Sequence, residues 1–246
     1  IRYSSDFKKR AIPAILDKAQ FFKTIQTGKK IFIEGQISEV NEDLIVASGV
    51  ALDENCELIA NINRCIAKAI DISECYCVNE VRKLFDDKIK ESNKALFEIK
   101  EEYHKSLQIL SDLSLPDNFT SKKYLYFVDS HLMYNFQKVL TTKLFSDQEP
   151  FFRWHFPKKP VVPGVFMLSC IMECAQFLFD NETNQSFKFP IAIKDCVFRK
   201  FIYPNSLCES ICEIVNTKTD TNNVSREIKG YLKHNGNIAL KATMVF

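Results

Sequence analysis

Residues 151–165 read Phe-Phe-Arg-Trp-His-Phe-Pro-Lys-Lys-Pro-Val-Val-Pro-Gly-Val, and they place one imidazole, three prolines and one glycine close together. The imidazole of His155 belongs to the side chain that titrates nearest neutral pH, so it suits taking or returning a proton. Pro157, Pro160 and Pro163 fix the backbone around it and stiffen its support. Gly164 lets the chain turn tightly and lets backbone approach a bound group. It opens a run, Val165 to Leu168 followed by Ile171, Met172, Ala175 and Leu178, that reads as a helix to about Phe179, apolar almost all round. The first N–H groups of a helix have no partner within it and favour negative charge. A carbonyl that gathers charge as its α-proton leaves would be stabilised there, as in an oxyanion hole, by the N–H of Gly164 or, as the lesser candidate, Val165. A histidine taken alone is more often packed core. The loop around His155 favours the base, whereas His104, His131 and His234 fall on a solvated stretch, just past a strand and in a turn.

A helix apolar on nearly every side must be covered, and a curved antiparallel sheet wrapped round it would do so. Residues 124–128 and 139–144 read as strands ahead of the loop. A repeat then emerges. Residues 198–204, Phe-Arg-Lys-Phe-Ile-Tyr-Pro, echo residues 7–13, Phe-Lys-Lys-Arg-Ala-Ile-Pro. Each heptad is followed by a strand-like stretch and by a second one ending in a glycine, Gly49 or Gly230. A polar turn comes next, at 53–55 or 234–236, and then a last apolar strand, 58–62 or 238–246. Two meanders thus lie about 190 residues apart. The second has a front half with its helix; that of the first would lie upstream of Ile1. Between them, residues 64–115 read as helix, with Val81, Phe85, Ile89, Leu96, Ile99, Tyr103, Leu107 and Leu110 in one stripe that Pro116 ends. The stripe fits a connector packed on a domain surface, or a partner-docking helix.

Bulk composition narrows the class. With 46% hydrophobic and 26% charged residues in 246, this is an ordinary globular chain, and 21 Phe give it a large apolar volume to bury. A formal charge of +2, with lysines interleaved among acids, lacks the basic excess of a nucleic-acid binder. No segment reads as a signal peptide or is apolar for long enough to span a bilayer. The nine cysteines contain no C-x-x-C pair and fall in part inside apolar runs, so they read as reduced, mostly buried thiols of a cytosolic protein rather than zinc ligands.

The 151–165 stretch resembles the active-site motif of the 3-hydroxyacyl-ACP dehydratases, a hot-dog-fold family in which His-Phe-Pro-x-x-Pro-x-x-Pro-Gly-Val joins a strand to the buried helix. Tyr126-Phe127-Val128-Asp129 is similar to the family's first strand, and Glu149-Pro150-Phe151-Phe152 to its approach to the histidine. The resemblance runs from about 124 to 246, and the repeat extends it to about 2–62; residues 64–122 have no counterpart in the stand-alone enzymes. It implies reversible removal of water from a (3R)-hydroxyacyl chain carried on the phosphopantetheine of acyl carrier protein or CoA, with no further cofactor and no metal. His155 would abstract the α-proton, and the N–H of Gly164 or Val165 would hold the thioester oxygen. Phe152, Phe156, Pro163 and Phe166, with Phe151 and Val165, would line an acyl tunnel or simply fill core. Arg153, Lys158 and Lys159 near the mouth suit an acidic carrier protein.

One position departs from the family pattern. The acid expected fourteen residues after the histidine is Ser169. Glu173, one turn later on the same face, stands where the family usually carries glutamine. Three readings stay open. Glu173 could substitute, although one turn is about 5–6 Å along the helix axis. The site could bind or hydrolyse acyl thioesters without dehydrating them. Or the acid could come from a paired hot dog, since the family's sites are composites of two. The last reading makes the chain an α+β double hot dog, similar to the dehydratase domains of polyketide and polyunsaturated-fatty-acid synthases. Two antiparallel sheets would each wrap a buried helix. Residues 1–62 would be the second half of a first hot dog, 63–122 a helical connector and 123–246 a complete second hot dog, a pseudo-dimer with room for further homo-oligomerisation. An acyl-thioester hydrolase and a non-catalytic scaffold within a synthase are the competing functions.

Overall fold

The computed structural model describes residues 8–25, 28–41, 43–79, 81–83, 126–153, 155–179, 188–220 and 223–246. Its strands are β1 (Lys9–Phe21), β2 (Ile31–Val40), β3 (Leu44–Asp53), β4 (Leu58–Asp71), β5 (Ser130–Asn135), β6 (Lys138–Phe145), β7 (Ala192–Phe198), β8 (Ser206–Asp220), β9 (Asn223–His234) and β10 (Asn237–Val245). They lie in the order β2-β3-β4-β1-β7-β10-β9-β8-β6-β5. Read outward from the middle, β1-β4-β3-β2 mirrors β7-β10-β9-β8. The two runs meet where β1 pairs antiparallel with β7, Ile15 opposite Val197 and Ala19 opposite Ile193. The expected two sheets are therefore one continuous ten-stranded sheet, because the first strand of each run uses the other's open ladder edge.

The repeat is real, but its anchor is displaced. The 53–58 and 234–237 turns join the third and fourth strands of their runs, and Gly49 and Gly230 sit inside the third strands rather than ending them. The two heptads do not correspond: residues 9–13 lie within β1, whereas 199–204 is loop and turn after β7. Residues 63–71, expected in the helical connector, belong to β4, which is laddered to β1 on one side and β3 on the other. Beyond them, residues 78–79 and 81–83 are helical, while the stripe from Phe85 to Leu110 lies outside the described residues. Residues 126–127, expected in a strand, form a turn, and β5 starts at Ser130. The N–H of Phe127 donates to the Glu173 carboxylate at 2.6 Å, a bond that holds the turn.

The helix predicted from Gly164 is present as Gly164–Gln176 and continues into a 3-10 turn, Phe177–Phe179. This central helix packs on β6, β8, β9 and β10, and Cys170, Ile171, Cys174 and Ala175 lose all exposure. Burying a side chain the size of Ile171 is worth about 1.5–3 kcal/mol. Gly230 allows the close approach: a Cβ there would lie 3.0 Å from both Cβ and Cδ1 of Ile171. The thiols of Cys212 and Cys174 donate to the carbonyls of Ile171 (3.1 Å) and Ser210 (3.5 Å). Burial pushes Cys208 and Cys196 up to about 12, so these cysteines act as packing rather than as nucleophiles. Among the described residues no helix is long and apolar enough to cross a membrane.

Candidate active site

The chain leaves β6 at Phe145 and passes a 3-10 turn, Pro150–Arg153, that buries Phe151 and Phe152 before His155 is presented. The backbone N–H of His155 donates to the Phe151 carbonyl at 2.8 Å. Its Nδ1 lies 2.9 Å from the Val161 carbonyl. In the neutral ring that contact puts the proton on Nδ1 and the lone pair on Nε2, the tautomer a base needs. Partial burial pushes the imidazole below its ordinary pKa; the Val161 carbonyl opposes the shift, and the charge of Arg10 adds to it. The unprotonated form is therefore the resting form at neutral pH.

Phe156 takes φ +62°, a left-handed backbone that bulky residues rarely adopt and that costs about 1–3 kcal/mol. Its ring stacks on His155 at 4.3 Å and 15° and meets Tyr76 edge-on at 5.8 Å. Pro163 precedes the central helix, and its carbonyl accepts from the N–H groups of Phe166 (2.9 Å) and Met167 (3.2 Å). The N–H groups of Gly164 and Val165 thus stand at the helix start, where no intrahelical acceptor exists. The carbonyl that fixes the imidazole, Val161, belongs to the short segment running straight into Gly164. The imidazole and the helix-start N–H groups therefore share one support. A Cβ at Gly164 would fall 3.0 Å from Cε1 of Phe198, so the site needs glycine for space.

Ser169 donates its hydroxyl to the Val165 carbonyl at 3.0 Å, a bond within its own helix. Glu173 lies nine residues beyond Gly164, about 13 Å along the helix axis, and its carboxylate holds the 126–127 turn. With Ser169, Met172 and Phe189 it lines a cavity of about 250 Å³. Burial raises its pKa, against the opposing effects of the Phe127 and Tyr126 N–H groups and Lys143. A raised folded-state pKa gives stability that is full below the unfolded value and is lost as pH rises through the folded one. Glu173→Gln cannot ionise. Its stability relative to the native chain is therefore expected to climb as pH rises from about 4 to 7, measured by thermal unfolding. A difference that stays flat over that range contradicts the burial cost.

The expected tunnel residues divide. Phe151 and Phe166 contact at 5.0 Å, Phe151 and Phe152 at 4.5 Å, and Phe127 and Phe166 at 5.1 Å, all within the main core. Phe156 instead joins Val161 and Cys75 in a separate cluster with Ile12, Ile70 and Tyr76. Pro163 is buried and Val165 is 65% exposed. Arg153, Lys158 and Lys159 are exposed; Lys158 also bonds the Ser73 and Cys75 carbonyls, at 3.3 and 3.2 Å. Arg10, Cys75 and Tyr76 were not legible as site residues. Arg10 sits in the repeated heptad, but nothing in local spacing ties it to a histidine so far along the chain.

Residues 134–229 match the family model of the ApeI-like proteins, described as ApeI dehydratase. The 3-hydroxyacyl-[acyl-carrier-protein] dehydratase FabZ of Lactiplantibacillus plantarum is 30% identical over 91 residues, covering 36% of this chain and 62% of that protein. The FabZ of Oceanobacillus iheyensis is 29% identical over 112 residues, covering 45% and 77%. The chain thus spans less than two thirds of the first relative. Among solved structures, the 12:0-ACP thioesterase from Umbellularia californica overlays with a TM-score of 0.53 at 10% identity, covering 99% of this chain and 75% of that one. An acyl-ACP thioesterase from Bacteroides thetaiotaomicron gives 0.52 at 9%, covering 98% and 78%. At such identities the structures speak to fold alone. The structures support a hot-dog fold for the chain, and its second half is similar in sequence to ApeI-like and FabZ dehydratases.

Proposed function

We propose that the chain carries the His155 half of a composite site that removes water from (3R)-3-hydroxyacyl thioesters held on acyl carrier protein, within a double hot dog in a cytoplasmic fatty-acid or polyketide-type synthesis. The observation that carries this reading is the His155 imidazole fixed through Nδ1 to Val161, on the segment that opens the central helix at Gly164. Nε2 takes the C2 proton. The electron pair moves onto the thioester oxygen, where the Gly164 N–H stabilises it. It then returns to form the C2–C3 double bond as the 3-hydroxyl, protonated by an acid, leaves as water. Ser169 cannot serve as that acid at neutral pH, and Glu173 is engaged far down the helix. The acid is assigned to the paired unit. Two features support this: the mirrored order of the two strand runs, and the packing of the His155 loop on β1 and the segment after β4. In this reading the first unit runs through β4, which ends at Asp71.

The test is hydration of a crotonyl thioester by the protein with both units complete, the first unit's helix included, compared with His155→Ala. Product 3-hydroxyacyl thioester, lost in the variant, supports the reading; an inert protein that the substitution leaves unchanged sinks it. A hydrolase at the Glu173 cavity is the second reading, favoured by the raised carboxyl pKa beside Ser169. Free thiol released from an acyl thioester, and abolished by Glu173→Gln, would select it.

A further inference from the structure

We propose that Arg10, contributed by β1 from outside the His155 motif, is a positioning residue for His155: its guanidinium holds the Phe156 ring against which the imidazole stacks, and its charge bears on that imidazole. The inference rests on the assignment of His155 as the base. The guanidinium carbon lies 4.5 Å from the Phe156 ring centre and 4.9 Å from that of Tyr76, so the cation is held between two aromatic faces. It also donates to the Tyr76 hydroxyl, which leaves it little freedom to turn away. Phe156 is the residue with the strained φ of +62°. Such a backbone persists only when the surroundings over-determine it, and part of its surroundings comes from the other strand run and the segment after it. Ile12, Ile70, Cys75 and Tyr76 pack around it, while Lys158 stitches the loop to the Ser73 and Cys75 carbonyls.

The Val161 carbonyl on one edge and the Phe156 ring on one face both restrain the imidazole. Among the described residues, the charged and titratable groups around the loop include Arg10 on β1, Glu74, Cys75 and Tyr76 in and after the 3-10 turn Ile72–Glu74, and Lys158 and Lys159 in the loop itself. Glu74, Arg10 and Lys159 bear on Cys75. Among these it is Arg10 whose charge disfavours the imidazolium. The effect keeps Nε2 unprotonated to lower pH and makes the proton, once taken, easier to return.

The experiment is an NMR titration of the His155 ring, its signal assigned by its loss in His155→Ala, in the native chain, Arg10→Met and Arg10→Lys. Arg10→Met is expected to move the His155 midpoint upward. Arg10→Lys, which keeps the charge, is expected to stay near the native midpoint. Crotonyl-thioester hydration should fall about 10-fold or more in Arg10→Met, mainly in kcat. An unchanged midpoint in Arg10→Met overturns the proposal. If that variant does not fold, Tyr76→Phe decides: an upward midpoint supports the clamp and a native one overturns it. The midpoint is read without turnover. A failure of the dehydratase reading therefore shows as activity retained in His155→Ala, separately from any result on Arg10.

Discussion

His155→Ala is expected to lower crotonyl-thioester hydration by roughly 10²–10⁴-fold, the usual contribution of a positioned general base. The size of the effect follows from the arrangement. The C2 proton of a thioester is a weak acid, and in the proposed mechanism the Gly164 N–H holds the thioester oxygen whether or not the base is present. Removing the imidazole leaves polarisation without a proton acceptor. The folding cost should be modest by comparison. The half-buried ring makes a side-chain hydrogen bond to Val161, worth about 0.5–1.5 kcal/mol, and its stacking partner Phe156 keeps its contact with the Arg10 guanidinium. Thermal unfolding of the variant checks this. Activity lost with the fold intact points to chemistry. Activity lost together with most of the stability would mean that the histidine is a structural pin of the loop.

Gly230→Ala is the second large effect, and it acts on stability. The added Cβ would stand 3.0 Å from Cβ and Cδ1 of Ile171 and 3.3 Å from Cε of Met244. The Met244 terminus can swing, and so can Cδ1, but Cβ of Ile171 is fixed to the central helix. The helix itself must move, at a cost of about 1–3 kcal/mol. It opens with the Gly164 and Val165 N–H groups, so a displaced helix also misplaces the oxyanion donors. Activity should fall with stability. Ile171→Val removes the Cδ1 contact and is expected to recover part of the loss in the double variant, although alone it destabilises by about 0.5–1.5 kcal/mol. Strictly additive losses, read by denaturant unfolding, would show that the two residues do not meet.

Much of this was legible from local pattern. The central helix and its limits followed from an apolar run opened by Pro163-Gly164, and strands β6, β8, β9 and β10 from short apolar segments between polar turns, whereas β7 was not legible. The misread parts share a non-local cause. Residues 64–71, with Ala67 and Ala69, look like helix by propensity, yet ladders to β1 and β3 on both sides make them strand. The turn at 126–127 is apolar enough for a strand, but Phe127 gives its N–H to Glu173, 46 positions away. The Phe–Pro heptads look alike because both mark the margin of a strand, one inside β1 and one after β7. Within the site, His155 and Gly164 announce themselves through a motif. Arg10 and Tyr76 do not, since only the β1–β7 junction and the segment after β4 bring them to the loop.

The central claim is that His155 is the base that removes the α-proton. It is tested most directly with a butyryl thioester in D₂O. That substrate has no 3-hydroxyl, so exchange at C2 needs the base and the oxyanion donors but not the leaving-group acid. Deuterium is expected to enter C2 in the presence of the native chain, to enter at a similar rate with Glu173→Gln, and to fall to the uncatalysed rate with His155→Ala. Equal exchange by the native chain and His155→Ala would contradict the account.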